Sequence, residues 1–481
     1  MSARRSAAQA PARRTFRAAR ADGPAAYDAD PRAFDTTPGG ACAAPQSPGL
    51  PENAFKVNLI SMRTTVAAFP GFDGLRLLAA FGVLVSHGML MPTGTEPLEI
   101  VPRTVGRIGY WGVFTFFIIS GFLLARSLAQ EPDALRFAVN RVLRIYPGLI
   151  ACAVVTAFGL GLLGTALPWQ AYLRHADAVG YVGLTAQCLC ARGWLPGVFG
   201  DGITDELQSI VNGSLWSLSY EVLSYTLLLA LWLALRSVRA TVFALLALAI
   251  ATLALPLAHE RLAGVAFTLP YFAGGALMYL VHERFGVNAT VALACVAGVA
   301  LAAWSGGLGL AYATLGAYLV VYLGTRPNPG SALSARVGDL SYGVYLYGWP
   351  VQQLVKQAMP GAGPWTMLAL STAATWACAW ASYRCIERPA LRLKAPVTAA
   401  LRALVSGAGR RDPSRDRVRR TGATAAFLLG TAVVLFSPWP LWWYVSFSLL
   451  GLAAVTAAGA LLAAGAALGL SRIRPGLGRA A

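Results

Sequence analysis

Residues 72–88 read FDGLRLLAAFGVLVSHG, with Arg76 opening an apolar run and His87 following eleven residues later. As a helix, eleven residues make about three turns, so both side chains share one face, about 16 Å apart along the axis. That rise is roughly half of a hydrocarbon core near 30 Å. Arg76 is thus expected at a membrane boundary and His87 near the middle. An ionisable group at that depth is costly and points to use rather than filling.

Composition extends this reading to the whole chain. Its 481 residues are 56% hydrophobic and 12% charged, against about 25% charged in soluble domains. The expected class is all-α, a polytopic transmembrane helical bundle. The net charge of +18 comes from 39 Lys+Arg against 21 Asp+Glu. No basic stripe with interleaved aromatics accompanies it, so nucleic acid is not an expected partner. The seven cysteines suggest no metal site.

Residues 1–65 lack a periodic apolar face and read as a disordered cytoplasmic tail. Spans of about 20 residues are predicted at 74–92, 109–128, 145–166, 216–235, 240–258, 263–281, 287–304, 308–324, 338–357 and 364–383. This core, residues 66–395, is followed by a basic cytoplasmic linker, 396–421. Residues 422–481 carry two additional helices, 422–437 and 441–468, and a short tail. With residue 1 inside, the inner segments hold Arg136, Arg141, Arg144, Arg236, Arg239, Arg284, Arg326, Arg336 and eleven basic residues from Arg384 to Arg420. The outer loops hold only Arg103, Arg107, Arg174, Arg192, Arg261 and Lys356. That bias predicts a multi-pass protein of the inner (plasma) membrane with both termini cytoplasmic. The longest outer connection, about 167–215, carries Asp201, Asp205 and Glu206, and its length suggests function or disorder.

The second intramembrane ionisable group is Glu221, in NGSLWSLSYEVLSY. Ser214, Ser217, Glu221 and Tyr225 fall on one helical face, with Ser219 off that stripe. A carboxylate beside an imidazole orients the ring and raises its basicity, so Glu221 is the expected partner of His87. In RVLRIYP (141–147), Arg141 and Arg144 lie three apart at the same boundary as Arg76, and Pro147 suits the first turn of the helix that follows. Three guanidinium groups there could converge on one polyanion. Ser120 and Gly121, in FFIISGFLL, suit close helix packing.

The Arg76–His87 spacing, FFIISGF, RVLR, SLSYE with Tyr225, SYGVYLYGWP (341–350) and IERP (386–389) occur in this order. Together they resemble the membrane acyltransferase-3 family, over roughly residues 70–392. The resemblance implies a ten-helix unit that O-acylates envelope carbohydrates or lipids, acetyl being the default group. Acyl-CoA is then a cytoplasmic cosubstrate, with no permanently bound cofactor, and the acceptor is a carbohydrate or glycolipid on the far side of the bilayer. It implies His87 as catalytic residue, with Arg76, Arg141 and Arg144 handling the donor. Ser217, Ser219, Glu221 and Tyr225 match its fourth-helix motif; Ser217, Ser219 and Tyr225 are candidates to bind substrate or the oxyanion. Gly348 departs from the family, which often has a histidine there, and this bears on acceptor choice. The rival expectation is a proton-coupled transporter or flippase for a glycan or lipid, which also uses ionisable pairs at mid-membrane. No internal repeat of matched broken helices supports it.

Overall fold

The structure is a computed structural model, and it describes residues 69–94, 107–186, 193–199, 210–254 and 260–407. The tail 1–65, Asp201, Asp205, Glu206 and the helices expected at 422–437 and 441–468 lie outside the described residues.

The described chain is a bundle of helices with no strand. In order they are α1 (Gly71–Thr93), α2 (Ile108–Gln130), α3 (Ala134–Gly164), α4 (Trp169–Arg174), α5 (Ala176–Ala186) and α6 (Trp216–Leu235). Next come α7 (Val238–Ala254), α8 (Glu260–Phe285), α9 (Ala289–Ser305), α10 (Leu308–Gly324) and α11 (Pro329–Val337). The series ends with α12 (Ser341–Ala358), α13 (Pro364–Ser382) and α14 (Lys394–Gly407). Each expected span from 74–92 to 364–383 has a helical counterpart. Five of them, α1, α2, α3, α6 with its preceding turn, and α8 from Leu262, are individually long and apolar enough to cross a membrane. The pair α10 and α11, bent by 60°, is a sixth candidate.

The centre is α2 packed between α1 and α8. Small residues let these backbones approach. A Cβ on Gly121 would lie 2.0 Å from the Phe272 carbonyl oxygen, and one on Gly275 would lie 2.0 Å from that of Ile118. In lipid, where apolar burial does not drive helices together, such close contact supplies the attraction. Phe114, Ile118, Ile119 and Phe122 on α2 and Phe272 on α8 are fully buried in the same core. On the other side of α1 lie α12 and α13.

Three sequence expectations change. The third helix starts at Ala134, not at 145, so Pro147 lies inside it and RVLRIYP is helical throughout. Two residues before the proline, the Tyr342 hydroxyl donates to the Ile145 carbonyl at 2.8 Å and ties this part of the helix to α12. The connection expected on the outer side holds two short helices, α4 and α5, with an apolar cluster of Tyr172, Tyr181, Val198 and Val211. Finally, the segment expected as linker from 396 begins inside a helix, α14, packed on α3.

Candidate active site

At the end of the bundle where α1 begins, three arginines gather. Arg76 comes from α1, and Arg141 and Arg144 from α3, with Arg141 within electrostatic reach of both others. Arg144 forms an ion pair with Asp339, which also accepts hydrogen bonds from the Ser341 backbone and hydroxyl. Arg76 Nη1 lies 3.4 Å from Asp73 Oδ1. Arg141 Nε is buried and has no hydrogen-bond partner among the described residues. The expected convergence of guanidinium groups is therefore present, and two carboxylates frame it. Asp73 and Asp339 went unnoticed in the sequence, although Asp73 lies within the quoted stretch 72–88 and Asp339 two residues before SYGVYLYGWP.

One stage further into the bundle, Glu221 Oε1 accepts from Tyr225 and from Ser120 Oγ, the latter at 3.2 Å. Ser120 and Tyr225 oxygens lie 3.1 Å apart. Ser120 thus does more than permit packing. Beyond it, Ser217 Oγ lies 2.6 Å from the Tyr345 hydroxyl, whose proton goes to the Ser214 carbonyl. Ser217 is then the donor of that pair. Ser214 Oγ is buried without a hydrogen-bond partner among the described residues. Ser219 is half-buried, off the stripe as expected.

His87 stands at the far end of this series, six residues before α1 ends. Its ring meets Trp349 of α12 edge-on, with centroids 4.7 Å apart at 77°. The indole is itself fixed: Nε1 donates to the Ile210 carbonyl at 2.7 Å, and a Cβ on Gly213 would lie 2.8 Å from the ring. On the other side is the first turn of α2, where a Cβ on Gly109 would come 4.0 Å from His87 Nε2. One turn along α12, Gln352 is fully buried, its Nε2 donating to the Leu84 carbonyl at 2.7 Å while its Oε1 has no partner among the described residues. A Cβ on Gly348 would lie 3.0 Å from Leu84 Cδ1, so a histidine there would need that side chain to give way.

The expected His87–Glu221 pair does not form. Gly109 marks the level of His87 on α2, and Ser120 marks that of Glu221. Eleven residues separate them, about 16 Å. Sequence depth alone misled here, because the start of α6 near Trp349 puts Glu221 two turns below that ring. What sequence reasoning missed beside the imidazole was Trp349, although SYGVYLYGWP contains it.

The profile of the acyltransferase domain family matches residues 69–384, most of the chain. The chain belongs to this family. Among curated relatives it is 29% identical over 303 residues to an O-acetyl transferase of Shigella phage Sf6, covering 59% of this chain and 85% of that protein. It is 27% identical over 376 residues to Nodulation protein 10 of Rhizobium leguminosarum bv. viciae, covering 68% of this chain and 95% of that protein. No solved structure matches. This acyltransferase thus carries its cation cluster at one end of the matched segment's bundle and its imidazole three turns of α1 away.

Proposed function

We propose that this membrane acyltransferase moves an acyl group, acetyl by analogy with the phage relative, from acyl-CoA to a hydroxyl of an envelope carbohydrate or glycolipid. The observation that carries the reading is the pairing on α1: Arg76 within a cluster of three arginines at one end, and His87 on the same face about 16 Å along. Coenzyme A has the matching layout, with phosphates at one end of a long flexible arm and the thioester at the other.

In this reading Arg76, Arg141 and Arg144 hold the phosphates on the cytoplasmic side. The arm then passes Glu221, Tyr225 and Ser120, whose oxygens suit its amide groups. Ser217 and Tyr345 lie next, nearer the reacting carbon. His87 Nε2 takes the proton of the acceptor hydroxyl as that oxygen attacks the thioester carbonyl. The tetrahedral adduct collapses with cleavage of the C–S bond, and the imidazolium returns its proton to the leaving thiolate. Trp349 keeps the ring aimed through this cycle, the role first expected of Glu221.

The test is transfer of label from acetyl-CoA to envelope glycan by the full chain in nanodiscs. His87→Ala should lower kcat by about 10²–10⁴-fold, the usual worth of a general base, while acetyl-CoA still binds. Retained turnover would remove His87 from the chemistry, and no labelled glycan from the wild type would remove the reaction.

A further inference from the structure

We infer that Lys394, on α14 beyond the matched segment, is a fourth cation of the donor's phosphate site and faces Arg141 across it. This rests on the acyl-CoA reading above.

The first ground is helix register. After Arg388–Arg392 the chain turns at Leu393, and α14 packs along α3. Arg402 forms an ion pair with Asp133, the residue that caps α3 by accepting from the Arg136 backbone at 3.0 Å. Thr398, one turn from Lys394 and one from Arg402, is buried. From Asp133 to Arg141 is eight residues along α3, and from Arg402 back to Lys394 is eight along α14. Each interval is about 12 Å, so an antiparallel pair pinned at Arg402–Asp133 brings Lys394 opposite Arg141. Accordingly, Lys394 is within electrostatic reach of both Arg141 and Arg144.

The second ground is the matching of charges. Asp339 takes Arg144 and Asp73 takes Arg76. Glu387 gives one oxygen to Ser382 and stands in no ion pair among the described residues. Glu221 attracts Arg141 only from a distance, its Oε1 being held by Tyr225 and Ser120. Arg141 and Lys394 are therefore the two cluster cations without a carboxylate in ion-pair contact among the described residues, and they face one another. Two half-buried like charges in that arrangement repel. A phosphate between them removes the cost and completes the bonding of the buried Arg141 Nε. A lysine in a run of basic residues reads as a topology signal, so its position was invisible until the helix register was known.

The experiment is equilibrium binding of labelled acetyl-CoA and of acetyl-pantetheine, which lacks the phosphates, to the full chain in nanodiscs. Loss of one charge-assisted contact corresponds to about tenfold in Kd. Lys394→Gln should therefore weaken acetyl-CoA about tenfold and leave acetyl-pantetheine unchanged, with Lys394→Arg restoring most of the affinity. At saturating acetyl-CoA, kcat should stay within about twofold, since the reacting end is untouched. Wild-type affinity for acetyl-CoA in Lys394→Gln would overturn this assignment alone. A wild type that binds no acetyl-CoA would overturn the donor reading and this one with it.

Discussion

What holds the His87 ring is an indole, and what holds that indole is the Ile210 carbonyl beside Gly213. An edge-on aromatic contact fixes direction without adding charge, so the ring is oriented while its basicity is left to its surroundings. The ionisable pair expected from sequence, His87 with Glu221, was wrong for a definable reason. Helical spacing gives depth along one helix, but the axial offset between two helices depends on loops whose geometry a sequence does not print. Residue pairs within one helix or one turn were legible: Arg76 with His87, and Glu221 with Tyr225. Lys394 illustrates the opposite case and carries a pH prediction. Burial, followed by the charges of Arg141 and Arg144, pushes its ammonium down to about 8. Below that pH the group is charged and attracts phosphate; above it the attraction fades. The KM for acetyl-CoA should rise several-fold between about pH 7 and 9, where the shifted ammonium loses its proton. Bound phosphate favours the charged form and moves the step upward. Lys394→Arg should flatten the profile, since a guanidinium stays protonated throughout. A step of equal size in both proteins would assign the pH dependence to another group.

At the level of elements, continuous apolar spans were read closely: 216–235 and 308–324 match α6 and α10. The start of α3 was not, because two arginines and a proline together look like a boundary. In the fold they are interior to α3, and the helix runs on through the proline. Helices α11 and α14 were missed because neither has an apolar run of spanning length. Ser120 and Gly121 were legible as a close-packing pair, though not their partner α8, and the crossing can be tested with a matched control. Gly121→Ala sets a Cβ 2.0 Å from the Phe272 carbonyl oxygen, whereas a Cβ on Gly180 or Gly183 of α5 meets nothing within 4 Å. Overpacking of this kind costs about 1–3 kcal/mol or more. Helical Gly→Ala in open space is neutral or stabilising by about 0.4–1 kcal/mol. Thermal unfolding in detergent should show Gly121→Ala well below wild type and Gly180→Ala at or above it. Equal melting of the two variants would mean that α2 and α8 can separate freely.

Across the described bundle, the candidate side chains fall in a line. The arginines with Asp73, Asp339 and Lys394 stand at one end; Glu221, Tyr225 and Ser120 follow; then Ser217 with Tyr345; and finally His87 with Trp349. Charge bias along the sequence predicts that the first end faces the cytoplasm, since the same arginines count toward topology. Such a line predicts a sided reaction. Acetyl-CoA is too polar to cross a bilayer, because each phosphate would have to leave water uncompensated. If its phosphates dock at the arginine end and the acceptor reaches His87 from the other, donor and acceptor must lie on opposite faces of the same membrane. Reconstitution into sealed vesicles separates the cases. With acetyl-CoA trapped inside and an impermeant glycan outside, molecules of one orientation should turn over. With donor outside and glycan inside, the other orientation should do so. With both supplied on one side, acylation should fall to the level set by leakage, and permeabilising the vesicles with detergent should restore it. Full activity with both substrates on one side of intact vesicles would mean that His87 is reached from the arginine end as well, and that the line is one pocket with a single mouth.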